Sequence, residues 1–330
     1  MRLVSLSPST RADAMKGLTI VDDEQVTALT PWPDLIDAIR DAFRQGGVSP
    51  ARHHHSIPGN DRDDITLLLM PAWNQQGDFG IKLATIAPSN AALGHPTLHG
   101  GYVLFSGATG IPLAILDAGA LTARRTAAAS ALASRYLSRP DSKTLLMIGT
   151  GRVARQLVAA HCSVRFIEEV RIWGRDATHA EDAAEHCSRD TGVSCVCVPD
   201  VATGASGADI ISSATPAESP LLRGEWVSPG THIDLVGAYK PSMCEADAEL
   251  IGKADQVFVD TMEGAKDEAG DLIQAIEAGV FSFDKVAGDM YRLSSQEASL
   301  RNQSDEITLF KSVGTALQDL AAAQLCLRGY

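Results

Sequence analysis

Apolar residues recur along this chain in two rhythms, and the change falls near Pro140. From Leu18 to about Pro140, short apolar runs mix with a helix-like segment, Trp32 to Arg44, where Leu35, Ile36, Ile39 and Phe43 stand at helical spacing. This half predicts an α+β arrangement. The stretch Leu121 to Leu137 is Ala-rich with small residues on several faces, which predicts a tightly packed helix between two domains. Ser138-Arg139-Pro140-Asp141 breaks it, since the residue before a proline is pushed out of helical conformation.

Beyond the break, strand and helix alternate. Thr144 to Ile148, Glu169 to Trp173, Val193 to Val198 and Ala208 to Ser213 read as strands, with helices at Val153 to Val164 and Ala177 to Asp190. That rhythm predicts a parallel sheet with right-handed crossovers. His232 to Val236 and Gln256 to Asp260 would complete a six-stranded, doubly wound sheet. The fold class is α/β: a Rossmann domain joined to an α+β domain. A chain of 330 residues exceeds what one core usually serves, which fits two domains.

Charge and composition narrow the classes. The net charge of -13 repels phosphate backbones and excludes nucleic acid as an expected partner. No apolar run approaches the roughly 20 residues of a bilayer span, so no membrane association is expected. Residues 1–14 lack an apolar signal core and are expected to be a disordered leader. The six cysteines, Cys162, Cys187, Cys195, Cys197, Cys244 and Cys326, form no CxxC or Cys/His pattern, which fits a reducing cytoplasm and argues against disulfides and zinc. Cys195 and Cys197 would share one strand face as packing residues. His53, His54 and His55 invite a metal reading, but no further ligand set stands at suitable spacing; a polar loop edge beside Arg52 is expected, and no metal.

Gly149-Thr150-Gly151-Arg152-Val153-Ala154 follows an apolar strand and opens a helix, the context that gives a GxGxxG/A pattern its meaning. The first glycine permits the turn, the second lets backbone approach a pyrophosphate, and the small Ala154 lets helix and strand close. After the second strand stand Trp173-Gly174-Arg175-Asp176. Arg175 suits a ribose 2′-phosphate, while Asp176 could still reach a ribose hydroxyl, so NADP(H) is expected ahead of NAD(H).

KLATIAPSN (Lys82 to Asn90), TARRTAAASALAS (Thr122 to Ser134), HIDLVGAYKPSMCEAD (His232 to Asp247) and DEITLFKSVGTALQDLAAA (Asp305 to Ala323) join the glycine loop in one order and spacing. Together they resemble the ornithine cyclodeaminase/μ-crystallin family over almost the whole chain after Leu18. The resemblance implies a homodimer, with residues 15–137 and 311–330 as a discontinuous substrate-binding and dimerisation domain and 138–310 as the Rossmann domain. Members act on an imine next to a carboxylate.

By that resemblance, Arg52, Lys82 and Arg125 hold the substrate carboxylate, and Asp234 and Lys82 are catalytic. Cationic donors are what a carboxylate leaving water requires. Arg124 is expected to be structural. Asp234 closes a strand at the edge where doubly wound sheets place ligands. The expected cofactor set is Thr126, Gly149, Thr150, Gly151, Arg152, Val153, Ala154, Gly174, Arg175, Asp176, Thr215, Val236, Lys311, Ser312 and Gly314. Ornithine cyclodeaminases of this kind carry a glutamate in an ELMP-type strand, whereas this chain has Leu68 there. An apolar side chain facing a distal ammonium carries a desolvation cost, so a cyclic imino acid fits better.

The expected function is NAD(P)H-dependent reduction of a cyclic ketimine, Δ1-pyrroline-2-carboxylate or Δ1-piperideine-2-carboxylate, to L-proline or L-pipecolate. The alternatives are an NAD-dependent ornithine cyclodeaminase and a non-catalytic NADPH-linked ligand carrier. Cofactor oxidation against a panel of imines separates them.

Overall fold

The computed structural model describes residues 17–59, 63–75 and 77–329, so the expected leader at 1–14 lies outside the described residues. In the first third of the chain, strands β1 (Thr19–Val21), β2 (His53–Ile57), β3 (Ile65–Trp73), β4 (Phe79–Ile86), β5 (Leu98–Phe105) and β6 (Pro112–Asp117) form one sheet. Their order is β1-β6-β5-β4-β3-β2, antiparallel except for the β1/β6 pair. Alternation along the strands sends Leu68, Met70, Ala72, Ala84, Tyr102, Leu104, Ala114 and Leu116 inward. The other face stays partly bare, with Trp73, Phe79 and Leu83 exposed. The histidine run is a strand at the sheet edge, which corrects the expected loop: His53, His54 and His55 pair with Leu69, Leu68 and Leu67.

The helix Trp32–Arg44 forms as its spacing predicts, with Leu35, Ile36, Ile39 and Phe43 buried. The Ala-rich helix runs Ala118–Leu137, begins on an Asp117 cap that accepts from the Ala120 amide at 2.7 Å, and is buried on nearly every face. A helix apolar or small all round belongs in a core, and this one packs between the two halves.

The second sheet holds β7 (Thr144–Ile148), β8 (Glu169–Trp173), β9 (Ser194–Cys197), β10 (Ile210–Ser213), β12 (His232–Leu235), β14 (Gln256–Val259), β15 (Val286–Gly288) and β16 (Thr308–Lys311), all parallel. Between them in the chain, β11 (Glu218–Leu222) and β13 (Cys244–Ala246) make a separate two-stranded ribbon. The sheet order is β9-β8-β7-β10-β12-β16-β14-β15. The chain is therefore α/β with a Rossmann-type sheet, but eight-stranded rather than six-stranded. The late strand β16 wedges between β12 and β14, so the sixth expected strand is not the neighbour of the fifth. Strands buried on both faces read as short apolar runs, and in β16 a terminal lysine interrupts that signature. From β16 the chain passes through residues 312–315 into the helix Ala316–Arg328, which packs on the Trp32–Arg44 and Ala118–Leu137 helices. No described helix is long and apolar enough to cross a membrane.

Candidate active site

The glycine loop joins β7 to the helix Arg152–Val164, and its shape fits a dinucleotide phosphate. Gly149 has φ 124°, and a Cβ there would stand 2.7 Å from the Ala214 carbonyl oxygen. Only glycine passes. Gly151 is the helix N-cap with no side-chain cap, and its missing side chain faces open space. The first amides of that helix are thus left for an anion, as a pyrophosphate requires. Ala154 is buried against the sheet. Thr150 packs on Gly174, where a Cβ would come 2.5 Å from its Cγ2. The Arg152 side chain turns away to pair with Asp23 at 2.6 Å, so what it offers the loop is its backbone amide.

At the end of β8, Arg175 is exposed beside the loop, while Asp176 turns back to cap the helix Ala177–Thr191, accepting from the His179 amide at 3.0 Å. The acid is engaged as a cap, and the guanidinium is left facing solvent.

A cavity of about 1340 Å³ opens between the C-terminal edge of the parallel sheet and the inward face of the mixed sheet. Of the expected site residues, Arg52, Lys82, Arg125, Thr126, Val153, Thr215, Val236, Ser312 and Gly314 line it. Leu68 lines it too and is buried.

The three cations are each pinned from behind. Lys82 Nζ lies 2.8 Å from Asp319 Oδ2 and donates to Thr122 Oγ1 at 3.2 Å. Arg125 donates from Nε to Asp319 Oδ1 at 3.0 Å and from Nη1 to Gln318 Oε1 at 2.7 Å. Arg52 uses Nη2 on the carbonyls of Val313 and Gly314, at 3.0 and 2.5 Å, and on Glu268 at 3.1 Å. Arg125 Nη2 and Arg52 Nη1 make no hydrogen bond to the described residues, and both side chains border the cavity. Burial pulls the Lys82 ammonium down to about 8, with Asp319 opposing that fall. Burial would raise the Asp319 carboxyl, but Arg125 and Lys82 hold it below the ordinary aspartate value.

Asp234 does not line the cavity. It is fully buried beneath the sheet, where Ser212 Oγ donates to its Oδ2 at 2.6 Å and His161 Nε2 lies 3.2 Å from the same atom. Burial opposes its charge, yet the His161 and Ser212 hydrogen bonds keep the carboxyl below its ordinary value. The expected catalytic placement fails for a simple reason: in β12, Asp234 shares the face of His232, and that face looks into the helix layer rather than beyond the strand ends. Lys311 is corrected likewise. Its side chain is fully buried and pairs with Asp271 at 2.9 Å, and it does not line the cavity.

Four residues absent from the expected set build the site from behind. Asp319 joins two of the cations. Gln318 holds Arg125. Asp260 Oδ2 accepts from Ser312 Oγ and the amides of Val313 and Gly314, at 3.0, 2.9 and 2.5 Å, and so shapes the 312–315 turn that holds Arg52. Glu245 accepts from Ser213 Oγ and the Thr215 amide, at 2.6 and 2.7 Å, and from the Gly237 amide at 2.5 Å, tying together the loops after β10 and β12. The one sequence signal for Asp319 was an acid inside an otherwise apolar helix, ALQDLAAA. Among the described residues, no group of three or more His, Cys, Asp or Glu could hold a metal ion.

Residues 18–327 match the model of the ornithine cyclodeaminase/mu-crystallin family. A Δ1-pyrroline-2-carboxylate reductase of Colwellia psychrerythraea is 38% identical over 309 residues, covering 93% of this chain and 97% of that protein. The solved Δ1-pyrroline-2-carboxylate reductase of Thermococcus litoralis, in complex with NADH and L-proline, superposes with a TM-score of 0.88 at 29% identity, covering 94% of this chain and 97% of that one. An archaeal alanine dehydrogenase dimer with bound NAD gives 0.85 at 30% identity, covering 94% and 95%.

Proposed function

Because this chain belongs to the ornithine cyclodeaminase/mu-crystallin family, we propose that it reduces a cyclic ketimine carboxylate, such as Δ1-pyrroline-2-carboxylate or Δ1-piperideine-2-carboxylate, to L-proline or L-pipecolate with NADPH or NADH. The observation that carries this reading is the cavity itself: Arg52, Lys82 and Arg125 face it beside the apolar wall at Leu68. Cations on one side suit a carboxylate, and an apolar wall suits ring methylenes rather than a free ammonium.

A bound nicotinamide supplies hydride to the C=N carbon. The fit of a dinucleotide rests on the glycine loop, the uncapped helix start at Gly151 and the exposed Arg175. Arg125 and Arg52 orient the carboxylate through the guanidinium edges their rear partners leave free. The imine nitrogen takes up one proton as the bond is reduced, and Lys82 is the member of the clamp that can release one, since its ammonium titrates near 8 while guanidinium keeps its proton. Asp234 has no part in this step.

The partly bare face of the mixed sheet fits a second copy of the chain: Phe79 is 38% and Leu83 39% exposed on β4, and Ile20, on the edge strand β1, 69%. A dimer in sedimentation at micromolar concentration is expected.

Turnover decides among the family's chemistries. Purified protein should oxidise NADPH with Δ1-pyrroline-2-carboxylate or its six-membered analogue and release no ammonia from L-ornithine with NAD. Ammonia from ornithine would make it a cyclodeaminase. NADPH binding with no oxidation by any cyclic ketimine would make it a ligand carrier. Arg175→Ala should weaken NADPH use by about 1.5 to 3 kcal/mol and spare NADH, the loss of one charge-assisted bond; equal losses for both would remove Arg175 as a phosphate reader.

A further inference from the structure

The carboxylate clamp is built on a buried anion. Lys82 and Arg125 come from different elements, the strand β4 and the helix Ala118–Leu137, and meet on the two oxygens of Asp319, which arrives from the C-terminal helix. Asp319 is fully buried, and the two cations are nearly so. Lys82 and Arg125 against Asp319 leave a single excess positive charge, and Arg52, the third cation at the cavity, is matched by its own acid, Glu268 at 3.1 Å, so one charge remains as the complement of one ligand carboxylate. Without Asp319 the two cations would face each other unneutralised in a site with little water, and lysine, the one that can shed its proton, would yield.

We propose that Asp319 is a positioning residue for the ligand carboxylate: it aligns Arg125 and keeps Lys82 an ammonium, so that the clamp carries the one net charge a monocarboxylate needs. The proposal rests on the reading of the cavity as a carboxylate site. The other groups facing Lys82 do not substitute for Asp319. Arg125 and Arg52 repel its charge. Thr122 on the long helix accepts a neutral hydrogen bond. Tyr102, its partner across β5, has a phenol that burial pushes far above its ordinary range, so it stays uncharged. Gln318, next along the helix, holds Arg125 without adding charge.

The test is calorimetric binding of pyrrole-2-carboxylate, a planar ring carboxylate, to the NADPH-loaded full chain over a pH series. In the parent protein, affinity should fall as pH rises through about 8, because deprotonating Lys82 removes the excess charge. In Asp319→Asn, the fall should begin ~1–3 pH units lower, the usual effect of losing an adjacent opposite charge. Gln318→Glu adds an anion to the same clamp and should move the fall upward. NADPH affinity, read by fluorescence, should be retained and reports folding. If Asp319→Asn no longer binds NADPH, Gln318→Glu decides. An unmoved onset in the variant that folds would reduce Asp319 to a packing residue and overturn the proposal. Parent protein that binds pyrrole-2-carboxylate but turns over no imine would sink the ketimine reading alone; failure to bind it at any pH would sink both.

Discussion

Two buried charge clusters in this protein look alike on paper and differ in what they face. Lys82, Arg125 and Asp319 form one; the other comprises two separate pairs on opposite faces of the parallel sheet, Lys311 with Asp271 and Asp234 with His161. All of these acids are fully buried, and each lies against a basic or imidazole side chain. The first cluster borders a cavity and keeps guanidinium donors uncommitted. The two pairs of the second are closed between the parallel sheet and its helices, each group met by its own partner or by local hydrogen bonds. Burial and charge therefore do not mark a site by themselves; an unspent donor beside an open volume does.

Breaking the interior cluster should give the largest effect, and on stability. Lys311→Met leaves Asp271 buried without its cation, which should cost about 3–5 kcal/mol of unfolding free energy in denaturant titrations, while the KM for imino acid in the folded fraction stays put. A raised KM with unchanged stability would move Lys311 back to the cofactor. Removing a cavity cation should act on chemistry. Arg125→Ala should lower kcat/KM for Δ1-pyrroline-2-carboxylate by about a hundred- to a thousandfold, with a smaller change in NADPH affinity. If the loss appeared only as reduced thermal stability, the clamp would be structural. The smallest change is expected at Asp234, where Asp234→Asn weakens the His161 and Ser212 hydrogen bonds and should cost about 1–3 kcal/mol of stability with turnover largely kept. A collapse of turnover in well-folded Asp234→Asn would return this residue to the mechanism and erase the distinction between the clusters.

Much of the frame was legible in the chain. The 3.6-residue spacing in Trp32–Arg44, the apolar runs of β7 and β8, and a glycine loop between strand and helix each reflect a local requirement that a short window of sequence carries in full. The cations Arg52, Lys82 and Arg125 were found through motif blocks, and they do meet at one cavity. The place of β16 was not legible, because pairing in a parallel sheet joins segments far apart in sequence, and nothing local in Thr308–Lys311 tells it to enter between β12 and β14.

The sequence by itself determined the alternation of strands and helices, the tight glycine turn at Gly149 and Gly151, and which residue types could meet a carboxylate. Only the tertiary structure decided which charges border the cavity and which are merely buried. Asp234 stands at a strand end where ligands usually lie, yet strand alternation turns it onto the His161 side; Asp319, hidden in an apolar helix, is carried by the returning chain to within 3.0 Å of two cations from elsewhere. The facing direction of a side chain follows from register and packing across the whole fold, and those are set by burial of surfaces that no local pattern contains.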